Sequence, residues 1–185
     1  NAEANVAYIP LKEGGLIYTV GRNKRDDQGR DDDVLFLVGK DPRSTTSVFI
    51  KRQLETIEQV NSRGSLTDED AEVLGRRGAH NLNCLISITD QQAESLSKNT
   101  FGLHLNGLIS ITDLQAESLS MVTIVSLNGL TSLTDQQAES LSKARNLHLK
   151  GLNGISDQQA KSLSNVRLLV ISEALQPLID KYKRQ

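Results

Sequence analysis

Leu133-Thr134-Asp135-Gln136-Gln137-Ala138-Glu139-Ser140-Leu141-Ser142, followed by Asn146-Leu147-His148-Leu149-Lys150-Gly151-Leu152, decides how this chain folds. Nearly the same text stands at Ile88-Thr89-Asp90-Gln91-Gln92-Ala93-Glu94-Ser95-Leu96-Ser97 and Leu103-His104-Leu105-Asn106-Gly107-Leu108. Five units begin at Leu66, Ile88, Ile111, Leu133 and Ile155, in steps of 22, 23, 22 and 22 residues. A fixed step of this size is the mark of a stacked repeat architecture, in which no unit can bury its apolar face alone.

Each unit has two halves. Thr89, Thr112, Thr134 and Ser156 are N-cap candidates with Gln three residues on, which is a capping box. The aspartate after each cap suits the positive end of a helix dipole. Thr67 is followed by Asp70 instead, so the box looks incomplete in the first unit. A helix of about two turns follows, with Ala93 and Leu96 and their counterparts facing inward. The second half is a short strand: Leu103-His104-Leu105, Val125-Ser126-Leu127 and Leu147-His148-Leu149. Alternation sends the leucines in and the middle residue out. Gly107, Gly129 and Gly151 follow, where a sharp turn would favour glycine. Leu108, Leu130 and Leu152 then return to the interior.

The pattern Leu-x-Leu-x-x-Leu-x-x-Ile-Thr-Asp resembles a leucine-rich repeat over 107 of the 185 residues. The resemblance implies an α/β right-handed solenoid, with a parallel sheet on one face and short helices on the other. One departure matters. The family places Asn or Cys where this chain has Leu85, Leu108, Leu130 and Leu152, and uses it to hold backbone groups inside each turn. Other partners must do that here.

The flanks read differently. Leu16–Val20 and Val34–Val38 are short apolar runs expected to pair as a β-hairpin. Ser44-Thr45-Thr46-Ser47 after Pro42 reads as a linker. From Val48 to Val60, Ile50, Leu54 and Ile57 recur at helical spacing, so an amphipathic helix should cover the first repeat. Residues 173–185 suggest a second covering helix with Pro177 in its first turn. The expected segments are therefore 1–47, 48–65, 66–172 and 173–185.

Between the two strands lies Gly21-Arg22-Asn23-Lys24-Arg25-Asp26-Asp27-Gln28-Gly29-Arg30-Asp31-Asp32-Asp33. Aspartates and carbonyls are the oxygen ligands that Ca²⁺ takes, although four cations offset them. Tyr18-Thr19-Val20-Gly21-Arg22-Asn23, Asp26-Asp27-Gln28-Gly29 and Asp32-Asp33-Val34-Leu35-Phe36 resemble the C-terminal end of type II secretion major pseudopilins. A related ending occurs in many secreted bacterial proteins. That resemblance implies calcium held by Asp26, Asp27, Asp32 and Asp33, and an extracytoplasmic location. The long pseudopilin helix is missing, and the basic residues depart from the pattern.

Composition narrows the rest. Lys and Arg total 21 against 23 Asp and Glu, so there is no electrostatic footprint for nucleic acid. No apolar run approaches the ~18 residues of a membrane span. Cys84 is the single cysteine, which excludes an internal disulfide framework and a Cys-based zinc site. The outward sheet residues form rows, and Asn81, Asn83, His104, Asn106, Ser126, Asn128, His148 and Lys150 are the candidate binding residues. His104 and His148 lie two strands apart, about 10 Å, with no carboxylate beside them. No nucleophile, base and orienting acid can be assembled. We expect a non-enzymatic module that binds a protein partner, with a structural spacer or a calcium-binding secreted protein as alternatives.

Overall fold

The computed structural model describes the backbone of residues 6–11, 14–19, 34–39, 45–76, 78–99 and 101–183, with side chains described from residue 52 on. Its contacts divide the chain into two units, Asn1–Thr56 and Ile57–Gln185. The boundary falls inside one helix.

In the first unit, β1 (Val6–Leu11), β2 (Gly14–Thr19) and β3 (Val34–Gly39) form an antiparallel sheet in the order β1-β2-β3. β2 and β3 pair as the expected hairpin, with Ile17 opposite Phe36. β1 is an addition to the two expected strands. Pro10 argues against a strand, but β1 is an edge strand, where a missing N–H is tolerated. Helix α1 spans Thr45–Arg63. Thr45, Thr46 and Ser47, expected as part of a linker, thus open this helix. At the other end Gly64, with φ 69°, donates its N–H to the Val60 carbonyl and stops the helix.

The second unit repeats one strand–helix arrangement. α2 (Asp68–Leu74), β4 (Ala79–Asn81), α3 (Asp90–Ser97), β5 (Gly102–His104), α4 (Asp113–Leu119), β6 (Ile124–Ser126), α5 (Asp135–Leu141), β7 (Asn146–Leu149), α6 (Asp157–Leu163), β8 (Leu168–Ile171) and α7 (Gln176–Lys183) follow in order. The five strands form a parallel sheet in sequence order, β4-β5-β6-β7-β8, and equivalent residues of successive units stand side by side. Each helix from α2 to α7 contacts the next. Parallel neighbours need a crossover, and here each crossover is one short helix.

One apolar core runs the length of this unit. Leu82, Leu105, Leu127 and Leu149 are fully buried in a row, and Ala71, Ala93, Ala116, Ala138 and Ala160 let each helix approach it. Burying each leucine is worth roughly 2 kcal/mol. Val60 of α1 joins this core at one end and Ile179 of α7 at the other, both fully buried. The stacked glycines serve a purpose other than the one expected. Gly107, Gly129 and Gly151 do not have positive φ. Instead, a Cβ on each would collide with two backbone carbonyls of the preceding coil, for Gly129 those of Asn106 and Leu108. Close approach between coils, rather than a tight turn, requires glycine there.

Candidate binding surface

The capping boxes set the helices, and they also tie coils together. Thr89, Thr112, Thr134 and Ser156 accept from the third backbone N–H of their helix, while the Gln side chain accepts from the cap's own N–H. Thr67 and Asp70 complete the same box, contrary to expectation, because an aspartate reaches as well as a glutamine. The glutamine amide has a second task. Gln92, Gln115, Gln137 and Gln159 donate Nε2 to the carbonyls of Leu66, Ile88, Ile111 and Leu133, one coil back, at 2.8–3.0 Å. The cap hydroxyls of Thr112, Thr134 and Ser156 donate in turn to Asp90, Asp113 and Asp135. The last aspartate, Asp157, has no following cap. It receives Lys181 Nζ at 3.0 Å and Tyr182 Oη at 2.8 Å from α7, which hold its carboxyl below the usual range. In the first repeat Asp70 pairs with Arg63 of α1.

A second ladder runs along the far end of the strands. Asn83 Oδ1 accepts from Asn106 N, Asn106 Oδ1 from Asn128 N, and Asn128 Oδ1 from Lys150 N, each at 2.9 Å. These side chains give backbone N–H groups of the next coil their acceptors. Each of these asparagines stands two residues before Leu85, Leu108 or Leu130 and reaches sideways to the next coil.

This changes the standing of the candidate residues. Asn83, Asn106 and Asn128 hold backbone and have their carbonyl oxygens occupied. Ser126, expected to face solvent, is 1% exposed. Its hydroxyl donates to Asn106 Oδ1 at 2.7 Å and accepts from Asn128 Nδ2 at 3.1 Å. Asn81 Oδ1 accepts from Asn83 N at 3.3 Å, but Asn81 remains exposed. His104, His148 and Lys150 are left with outward-facing polar groups, the histidines half-buried and the lysine exposed.

Both imidazoles are held below their ordinary pKa. Burial is the larger cause in each; the second is the charge of His148 for His104, and of Lys150 for His148. They are therefore neutral at pH 7, each offering one donor and one acceptor. Ser126 is in register between them. No group of three or more His, Cys, Asp or Glu side chains that could hold a metal is found among the described residues. Asp26, Asp27, Asp32 and Asp33 lie outside the described residues.

His80 takes the inward strand position that Leu103, Val125 and Leu147 occupy elsewhere, and it is fully buried. Desolvation brings its pKa down to about 4, against the smaller raising effect of hydrogen bonding to the backbone at Leu74, Arg76 and Ala79. Its ring lies where a Cβ of Gly78 would be, and Gly78 has φ 155°. Asn99, buried in the second unit, donates to the carbonyls of Leu74 and Gly78 and so ties down this irregular turn.

Two exposed apolar residues escaped the strand-by-strand reading. Leu114 and Met121, 60% and 74% exposed, lie one on α4 and one just beyond it. With Asp90, Glu94 and Glu117 they line a groove. The signal was present in the sequence. The other units carry Glu69, Gln91, Gln136 and Gln158 at the first position, and Arg76, Lys98, Lys143 and Asn165 at the second.

Among the described residues, no helix is long and apolar enough to cross a membrane. No protein-family model matches the chain, and neither the curated proteins nor the solved structures contain a significant match to it.

Proposed function

We propose that residues 66–172 are a short leucine-rich-repeat solenoid, closed at its ends by α1 and α7, which serves as a non-enzymatic scaffold for binding a protein partner. The five sequence-ordered parallel strands and the end contacts of Val60, Ile179 and Asp157 support the architecture. The observation that carries the binding role is the set His104, His148 and Lys150, whose polar groups point outward and are not spent on the ladders. Asn81 extends the same surface. A row without Trp or Tyr lacks the usual hot-spot residues, so the interaction is weak unless other surfaces add to it.

The test is a pull-down from the native extract with the wild type and with a His104→Ala/His148→Ala/Lys150→Glu variant. Circular dichroism serves as the fold control. Loss of a specific captured partner supports the role. An unchanged set of partners with an intact fold removes the sheet face as the site.

One observation favours a second reading, a spacer that supplies length. Asn83, Asn106, Asn128 and Ser126 are consumed in joining coil to coil, which suits a stiff rod. A calcium role would rest on Asp26, Asp27, Asp32 and Asp33. Titration calorimetry with Ca²⁺ decides it, since no heat at millimolar calcium removes the proposal.

A further inference from the structure

The tripeptide Leu-Asn-Gly occurs three times, as Leu105-Asn106-Gly107, Leu127-Asn128-Gly129 and Leu152-Asn153-Gly154. Asn-Gly is the dipeptide most open to spontaneous deamidation, because glycine carries no side chain to shield its own N–H and asparagine is chemically labile. The backbone nitrogen of the glycine attacks the asparagine Cγ. Ammonia leaves, and the cyclic succinimide is opened by water to aspartate or isoaspartate. Identical local sequence predicts identical rates, so any difference must come from the fold.

The three sites differ in surroundings. Asn106 Oδ1 is held by Ser126 Oγ and by Asn128 N, at 2.7 and 2.9 Å. Asn128 is held through Oδ1 by Lys150 N and through Nδ2 by Ser126 Oγ, at 2.9 and 3.1 Å. Gly107 and Gly129 are packed against carbonyls of the preceding coil, so neither has room to swing toward a side chain. Asn153 breaks the pattern. It follows Gly151 and Leu152, three residues after the ladder position, which Lys150 fills. Its backbone N–H is bonded to Thr131 O at 3.1 Å, but its side chain is exposed and has no hydrogen-bond partner among the described residues. Gly154 is exposed, with open space around the Cβ direction.

We propose that Asn153 is a site of non-enzymatic modification, converting to aspartate and isoaspartate in the folded protein while Asn106 and Asn128 are protected by the ladder. The conversion adds a carboxylate, or a carboxylate and an extra backbone methylene, three residues after Lys150.

The test is incubation of the native full chain in H₂¹⁸O at mildly alkaline pH, followed by peptide mass spectrometry of the three sites. A parallel sample is held in denaturant. In the native protein, label enters at Asn153 more than about tenfold faster than at Asn106 or Asn128, a ratio that two ladder hydrogen bonds sustain. In denaturant the three rates converge. Gly154→Ala slows the native reaction at Asn153 and leaves the other two sites unchanged. Comparable native rates at all three sites, with circular dichroism unchanged, would overturn the proposal. So would an unlabelled Asn153 beside labelled Asn106 or Asn128.

Discussion

At the scale of single residues, His80 and the glycines show how position decides chemistry. His80 has a folded-state pKa of about 4, against 6.5 for the ordinary group. The unfolded chain therefore binds a proton that the folded chain refuses. Stability is full above about pH 6.5, declines as pH falls, and levels off near pH 4, a loss on the order of 3 kcal/mol from this group. Urea melts at pH 7 and pH 4.5 should show it, and His80→Leu should flatten the difference. An equal pH slope in the variant would mean that another group sets the acid limit. The glycines give a contrasting pair. Gly129→Ala forces a methyl group onto the carbonyls of Asn106 and Leu108 and should cost about 1–3 kcal/mol. Gly154→Ala meets open space and should leave stability unchanged or raise it by about 0.5 kcal/mol. Equal losses for the two would mean that coil contact is not what demands glycine at position 129.

At the scale of the element, the capping box explains the starts of α2 to α6 but not the choice of Gln over Glu in α3 to α6. Both accept from the cap N–H. Only Gln can also donate, and Gln137 Nε2 does so to Ile111 O at 2.8 Å. Gln137→Glu keeps the cap and sets a carboxylate against that carbonyl. We expect it to cost about 1–3 kcal/mol in a urea melt, at least as much as loss of the whole cap in Thr134→Ala, about 1 kcal/mol. A neutral Gln137→Glu would show that the coil-to-coil bond contributes nothing. The first repeat shows the contrast. It has no coil before it, and there the position is Asp70, paired instead with Arg63.

At the scale of the whole molecule, repeats from Leu66 onward join their neighbours through strand pairs and helix contacts. Stability then follows from unit strengths and shared interfaces. Central positions have a neighbour on each side and end positions have one. Leu127→Ala, in the middle, should cost about 3–5 kcal/mol because the cavity is walled on both sides. Leu169→Ala, at 9% exposure in the last strand, should cost less, about 2–3 kcal/mol. The ordering is checked by equilibrium denaturation of both variants, and the reverse ordering would contradict a neighbour-only stack.

Much of this was legible from the chain alone. The 22-residue step, the cap residues and the Leu-x-Leu triplets are local or periodic signals, and they placed five helices and five strands in their order. The edge strand Val6–Leu11 was hidden by Pro10, because edge position is a property of the sheet and not of the segment. What a polar side chain does once the coils stack was decided only by tertiary structure. Alternation correctly set Asn106 and Asn128 on the outer side of the strands, yet the neighbouring coil takes up their oxygens and buries Ser126 beneath them. The same Leu-Asn-Gly text is locked at two places and open at a third, because hydrogen-bond partners from the next coil, 20–22 residues away, lie outside any local reading.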